Sequence, residues 1–157
     1  MRILLLLIGK TKDDQLQSLT NNFSKRLKHY NSFKIEIIPE LKIRKNLSVE
    51  EQKTREGKEI LKRIQASDEV VLLDEKGKDF TSKQFANWLQ KQMNSGKKQL
   101  VFIVGGPFGF SKEIYQRSNQ KIALSKMTFS HEMIRPFFVE QLYRGFTILR
   151  NEAYHHE

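Results

Sequence analysis

The sequence predicts an α/β fold, a mostly parallel sheet with helices on both faces, formed as one domain over residues 1–157. Two observations carry that expectation. Three apolar runs, Arg2–Ile8, Glu69–Leu73 and Leu100–Val104, are continuous rather than alternating, the pattern of strands buried on both faces. Between them lie segments with apolar residues at helical spacing, and strand–helix alternation at these lengths calls for crossover connections.

Taken in order, Arg2–Ile8 is the first strand, bounded by Gly9-Lys10. Asp13 or Asp14 caps a helix whose Leu16, Leu19, Phe23, Leu27 and Tyr30 share one face. Phe33–Ile38 is a second strand, stopped by Pro39, and Leu41–Leu47 is a basic connector. Ser48 and Glu51 have capping-box spacing for a helix reaching about Gln65, in which Gly57 costs roughly 1 kcal/mol relative to alanine. Glu69–Leu73 is the third strand, and Asp74–Phe80 reads as a turn-rich loop. Thr81 and Gln84 form another capping box ahead of Phe85, Trp88, Leu89 and Met93. Leu100–Val104 runs into Gly105-Gly106-Pro107-Phe108-Gly109, and Ser111 caps a short helix to about Arg117. Lys121–Leu124 is a short fifth strand. The last helix carries a broad apolar face from Met133 to Leu149; Pro136 either lies in its first turn or kinks it.

The chain has no cysteine, which excludes disulfides and thiol chemistry, and no apolar run near the ~20 residues of a membrane span. A cytoplasmic location without a membrane partner is expected. Net charge is +10, with 17 Lys/Arg against 12 Asp/Glu in residues 1–78 and 11 against 6 thereafter. The excess is spread over the folded body, which suits a polyanion met by a whole face of the protein.

Ligands of open parallel sheets sit beyond the carboxyl ends of strands, which directs attention to three loops: Leu73-Asp74, Val104–Phe110 and Leu124–Phe129. The diglycine matches neither dinucleotide-binding nor Walker patterns, and alone it signals a tight turn. No His/Asp/Glu spacing suits a metal, and Ser125, Thr128 and Ser130 lack the context of a nucleophile. His131 reads as a cap or surface residue.

In this order, Leu73-Asp74, Ile103–Pro107 with Gly109, Leu124-Ser125-x-Met127-Thr128-Phe129, His131, Glu140–Arg144 and Ala153-Tyr154-His155 resemble the ribosomal large subunit methyltransferase H family over essentially the whole chain. The resemblance implies a SPOUT-type fold with a C-terminal trefoil knot. It also implies a homodimer that uses S-adenosyl-L-methionine to methylate N3 of a pseudouridine in helix 69 of 23S rRNA. By position it assigns cofactor contacts to Leu73, Gly105, Leu124, Ser125, Lys126, Met127, Thr128 and Phe129. Tyr154 and His155, in the tail, become catalytic candidates that position substrate in a site shared between subunits. Because the methyl group already sits on a sulfonium, such an enzyme needs no metal and no nucleophile of its own. Lys10, Arg135, Arg144 and the basic connector are the candidates for RNA phosphate contacts. The chain departs from the family pattern at Ser130, Pro136 and His156. A reading from another class is a non-catalytic RNA- or ribosome-binding dimer using the same basic surface.

Overall fold

In a computed structural model that describes residues 1–40 and 47–155, five strands and five helices alternate along the chain. They are β1 (Arg2–Ile8), α1 (Asp14–Leu27), β2 (Phe33–Ile38), α2 (Val49–Leu61), β3 (Glu69–Asp79), α3 (Ser82–Met93), β4 (Gln99–Val104), α4 (Lys112–Arg117), β5 (Gln120–Ala123) and α5 (Ile134–Leu149). The strands form one sheet in the order β2-β1-β4-β3-β5, and every pairing is parallel. The basic connector, apart from Leu47, and His156 lie outside the described residues.

The continuous apolar runs have the predicted cause. Along β1, Ile3, Leu5 and Leu7 enter a core shared with α1, α3 and α5, while Leu4, Leu6 and Ile8 enter a second core under α2 and α4. Full burial of an aliphatic side chain stabilises by about 1.5–3 kcal/mol, so the central strands hold both layers together. Connections that step one way along the sheet carry α1 and α3; those stepping the other way carry α2 and α4. Right-handed crossovers require this segregation.

Asp13, Ser48, Thr81 and Ser111 each cap the helix that begins after them, and both capping boxes form with Glu51 and Gln84. Gly57, unfavourable for helix propensity, lies where α2 meets α4. A Cβ there would come within 2.5 Å of Ser111 Oγ.

Three elements depart from expectation. The helix expected to reach Gln65 ends at Leu61, because tertiary bonds hold residues 65–68 in another conformation. Asp68 accepts from the Gln65 amide at 2.8 Å, and Arg117 donates to the Gln65 and Asp68 carbonyls. The stretch read as a turn-rich loop after Leu73 belongs to β3. Leu73 and Lys78 both face Ile122 of β5, so residues 74–77 loop out and the strand then resumes. Asp74 Oδ1 accepts from the Lys76 amide, which supplies the turn that the sequence signalled. Gly77 lies against the β5 backbone: a Cβ would meet Ile122 N at 2.5 Å. Finally, Pro136 is the third residue of α5, where the missing amide hydrogen has no intrahelical acceptor, so no kink is needed.

Candidate functional site

The carboxyl ends of β4 and β5 and the bulge of β3 bound a cleft of about 670 Å³, inside the range of small-molecule sites. Its walls are the segment that loops out within β3, Leu73–Lys76, and the loops after β4 and β5, Val104–Phe110 and Leu124–His131 apart from Lys126, with Tyr115, Ile122 and Ile134 completing them. They meet because the parallel register sets Leu73 beside Val104 and Ile122, so the three segments leave the sheet at one edge.

Of the residues expected at a cofactor, Leu73, Gly105, Leu124, Ser125, Met127, Thr128 and Phe129 line this cleft together. Lys126 does not: its ammonium points outward, 3.7 Å from Asp79. The loop after β5 is braced locally. Ser125 Oγ accepts from the Met127 amide at 2.9 Å, Ser130 Oγ from the Met133 amide at 3.1 Å, and Thr128 donates to Glu75 at 2.5 Å. The diglycine loop comes close to other atoms at both glycines. A Cβ on Gly105 would lie 3.2 Å from the Phe110 ring and 3.3 Å from the Gly109 backbone; one on Gly106 would lie 2.6 Å from a Glu56 carboxylate oxygen.

Sequence reasoning missed three polar groups around the cleft. Tyr115 donates to Asp74 at 2.6 Å; burial, and then that carboxylate, push its phenol pKa up, so it is held as a donor. Glu75 sits within the stretch read as a plain loop, where nothing set it apart. Glu56, buried on α2 behind Gly106, accepts from Gln52 at 3.0 Å, and burial raises its pKa. Only Asp74, read from the sequence as a strand end, carried a signal.

Arg135 corrects an expectation. Read as a surface phosphate contact, it is fully buried. Its guanidinium donates to the carbonyls of Ile8, Gly9 and His131 and to Thr11 Oγ1, tying the end of β1 to the start of α5. With five donors and a chain that reaches back one turn, arginine is the residue type that can satisfy several strand-end carbonyls at once. Lys10 is exposed just past the end of β1. Arg144 is half-buried, and its charge is engaged by Glu140 at 2.6 Å.

Tyr154 and His155 lie outside the cleft of their own chain. Asn151, in the left-handed region at φ 55°, ends α5. Its amide donates to Ile148 and that of Glu152 to Thr147, the paired bonds of a Schellman turn. The turn folds the tail back on α5. There the Tyr154 hydroxyl donates to Glu140 at 3.0 Å, its ring meets Tyr143 edge-on at 4.8 Å, and His155 Nδ1 lies 3.4 Å from Arg144. Burial, and then Glu140, push the Tyr154 phenol pKa upward. Exposed apolar side chains, Met127, Phe129, Met133 and Phe137, mark the surface between cleft and helix, with the Phe129 and Phe137 rings 5.4 Å apart.

This site offers backbone amides and carbonyls between apolar walls, with Tyr115 paired to Asp74 and Thr128 to Glu75. Among the described residues, no group of three His, Asp or Glu side chains converges as metal ligands, and no helix is long and apolar enough to cross a membrane. Such an arrangement can bind and orient a small ligand through backbone and apolar contacts. Comparison with known proteins agrees. A family model described as a predicted SPOUT methyltransferase matches residues 1–155. Proteins named ribosomal RNA large subunit methyltransferase H are similar over nearly the full length of both chains. The one from Christiangramia forsetii is 57% identical over 156 residues, covering 99% of each chain. Those from Flavobacterium johnsoniae and Porphyromonas gingivalis (strain ATCC 33277) are 56% and 48% identical, covering all of each chain. The chain belongs to the ribosomal RNA large subunit methyltransferase H family of SPOUT methyltransferases.

Proposed function

We propose that this protein transfers a methyl group from S-adenosylmethionine to N3 of a pseudouridine in helix 69 of 23S rRNA, working in the cytoplasm as a homodimer. The observation that carries the reading is the convergence of the β3 bulge and the loops after β4 and β5 on one cleft, with seven of the eight residues that the family resemblance assigns to the cofactor along its walls. The residues fit that ligand. Close approach at Gly105 and Gly106 leaves backbone rather than side chain facing the cleft, and Leu73, Leu124 and Met127 offer apolar contact to a purine. The loop after β5, braced by Ser125 and Ser130, is the segment we assign to the trefoil knot of the SPOUT fold.

The cofactor supplies an electrophilic methyl group, and the protein supplies position. The substrate's N3 must be held in line with the sulfur–methyl bond and must lose its proton. Tyr154 suits holding better than proton removal, because burial and Glu140 keep its phenol protonated. Glu140 and Arg144 orient the tail: Glu140 accepts from Tyr154, and the Arg144 guanidinium lies 4.7 Å over the Tyr154 ring. Since Tyr154 and His155 stand outside their own cleft, we assign them to the cleft of a second subunit, docked through the apolar surface of Met127, Phe129, Met133 and Phe137.

Calorimetry with S-adenosylhomocysteine tests the reading directly. Binding is expected, and Gly105→Val should abolish it while circular dichroism shows a folded chain. An absence of binding up to millimolar ligand would leave a non-catalytic RNA-binding protein instead. Tyr154→Phe and His155→Ala should slow single-turnover methylation of ribosomes at unchanged cofactor affinity. Shared sites make a sharper forecast. Mixing Gly105→Val with His155→Ala protomers should restore up to about a quarter of wild-type activity, since statistical exchange leaves one intact site in half the dimers. No recovery would place the tail in its own subunit's site.

A further inference from the structure

Two arginines are mounted on the aromatic cluster that carries the tail. Arg26, in the last turn of α1, lies 5.5 Å from the Phe23 ring centroid and 5.8 Å from that of Tyr143. Arg150, just past α5, lies 4.5 Å over Tyr30. The rings are contiguous: Tyr143 meets Tyr30 at 5.6 Å, Phe23 at 5.8 Å and Tyr154 at 4.8 Å. Both arginines are exposed, and among the described residues neither has an ion-pair partner. Arg63 and Arg144 differ, the first paired with Glu36 and Glu59 and the second with Glu140. The nearby carboxylate of Glu152 accepts from the Tyr30 hydroxyl.

A helix C-terminus favours any cation, which accounts for basic residues at these positions. It does not account for guanidinium groups held 4.5–5.8 Å from ring centroids with no carboxylate among the described residues paired to either. Contact with a ring face restricts the side chain before a ligand arrives, and an exposed guanidinium keeps donors for bidentate contact with phosphate. We propose that Arg26 and Arg150 form a phosphate-contacting patch for the RNA strand that flanks the target nucleotide, beside the tail that reaches it. This rests on the methyltransferase reading for the identity of the RNA. Stacking on Tyr143 and its neighbours ties the patch to Tyr154, so a strand held there passes the residue that we assign to the substrate.

The test is the salt dependence of binding to a fluorescein-labelled RNA hairpin of helix 69 sequence, followed by anisotropy with the full-length protein. Each lost phosphate contact lowers the slope of log Kd against log salt by about 0.7–0.9, so R26Q/R150Q should lower it by about 1.4–1.8. R26K/R150K should keep most of the slope, and Arg63→Gln should leave it unchanged. S-adenosylhomocysteine affinity should be the same in all variants. An R26Q/R150Q slope equal to wild type overturns the proposal. So does an equal loss with polyglutamate in place of RNA, which would make the patch a site for an acidic protein. If the slope falls but no variant or wild type binds S-adenosylhomocysteine, the methyltransferase reading fails and the phosphate patch stands.

Discussion

Replacing Arg135 with methionine tests whether the buried guanidinium braces the fold, as the structure has it, or serves RNA, as its charge suggested. The change removes four hydrogen bonds, at 2.6 Å to Ile8, 3.0 Å to Gly9, 2.9 Å to Thr11 and 2.9 Å to His131. Methionine is unbranched and fills much of the vacated space, so the loss is polar rather than a cavity. Bonds from a charged donor contribute about 1.5–3 kcal/mol each, but removing the guanidinium also relieves the cost of burying it. Three carbonyls lose their partner, and a net destabilisation of about 3–5 kcal/mol results. For a chain of this size each kcal/mol lowers Tm by about 2–4 °C, so the expected fall is roughly 6–20 °C. Thermal unfolding monitored by circular dichroism, at one protein concentration for variant and wild type, measures it. A fall below about 2 °C would refute the bracing argument. The RNA salt slope of the variant, measured where it is folded, should match wild type; a slope reduced by about 0.9 would restore Arg135 as a phosphate contact.

Two further perturbations probe contacts in the fold. Gly77→Ala places a methyl 2.5–2.6 Å from backbone atoms of Lys121 and Ile122, which cannot rotate away. It should destabilise by about 1–3 kcal/mol in urea titration and weaken S-adenosylhomocysteine binding, because the β3–β5 pairing positions Leu73 and Leu124. Unchanged values in both measurements would show that residues 74–77 relax freely. Glu56→Gln addresses pH. Burial raises the Glu56 pKa, so its contribution to stability is complete below the ordinary carboxylate range and is lost as pH rises through the raised value. Glutamine cannot ionise, so the variant should be more stable than wild type at about pH 7–8 and converge with it below about pH 4. A difference that does not narrow as pH falls would contradict burial as the cause.

Much of the fold was legible because its signals are local. A capping serine and the glutamate three residues on lie within one turn of helix, and Ser48 with Glu51 forms the box that the spacing announced. The doubly buried strands were legible because burial on both faces leaves no polar position in the run, as from Ile3 to Ile8 of β1. The cleft was legible only in part. Glycines and a strand-end aspartate mark where loops turn, yet Tyr115 on Asp74 and Thr128 on Glu75 join residues 41 and 53 positions apart. Charge misled at Arg135, since an arginine in a basic chain reads as surface until strand-end carbonyls are seen converging on it.

By itself, then, the sequence determined the order of strands and helices, their caps, the two-sided core and, through its ordered motifs, the family. These depend on neighbours within a few residues or on the composition of a run. Tertiary structure alone decided that β3 resumes after residues 74–77, that α2 stops at Leu61, that Lys126 turns away from the cleft and that Arg135 braces β1. It also decided that Tyr154 hangs from Glu140 outside its own cleft. Each of these outcomes turns on a hydrogen bond, an ion pair or a steric contact with a partner remote in the chain. Arg135 and Ile8, 127 positions apart, meet only because a parallel sheet brings its strand ends to one edge.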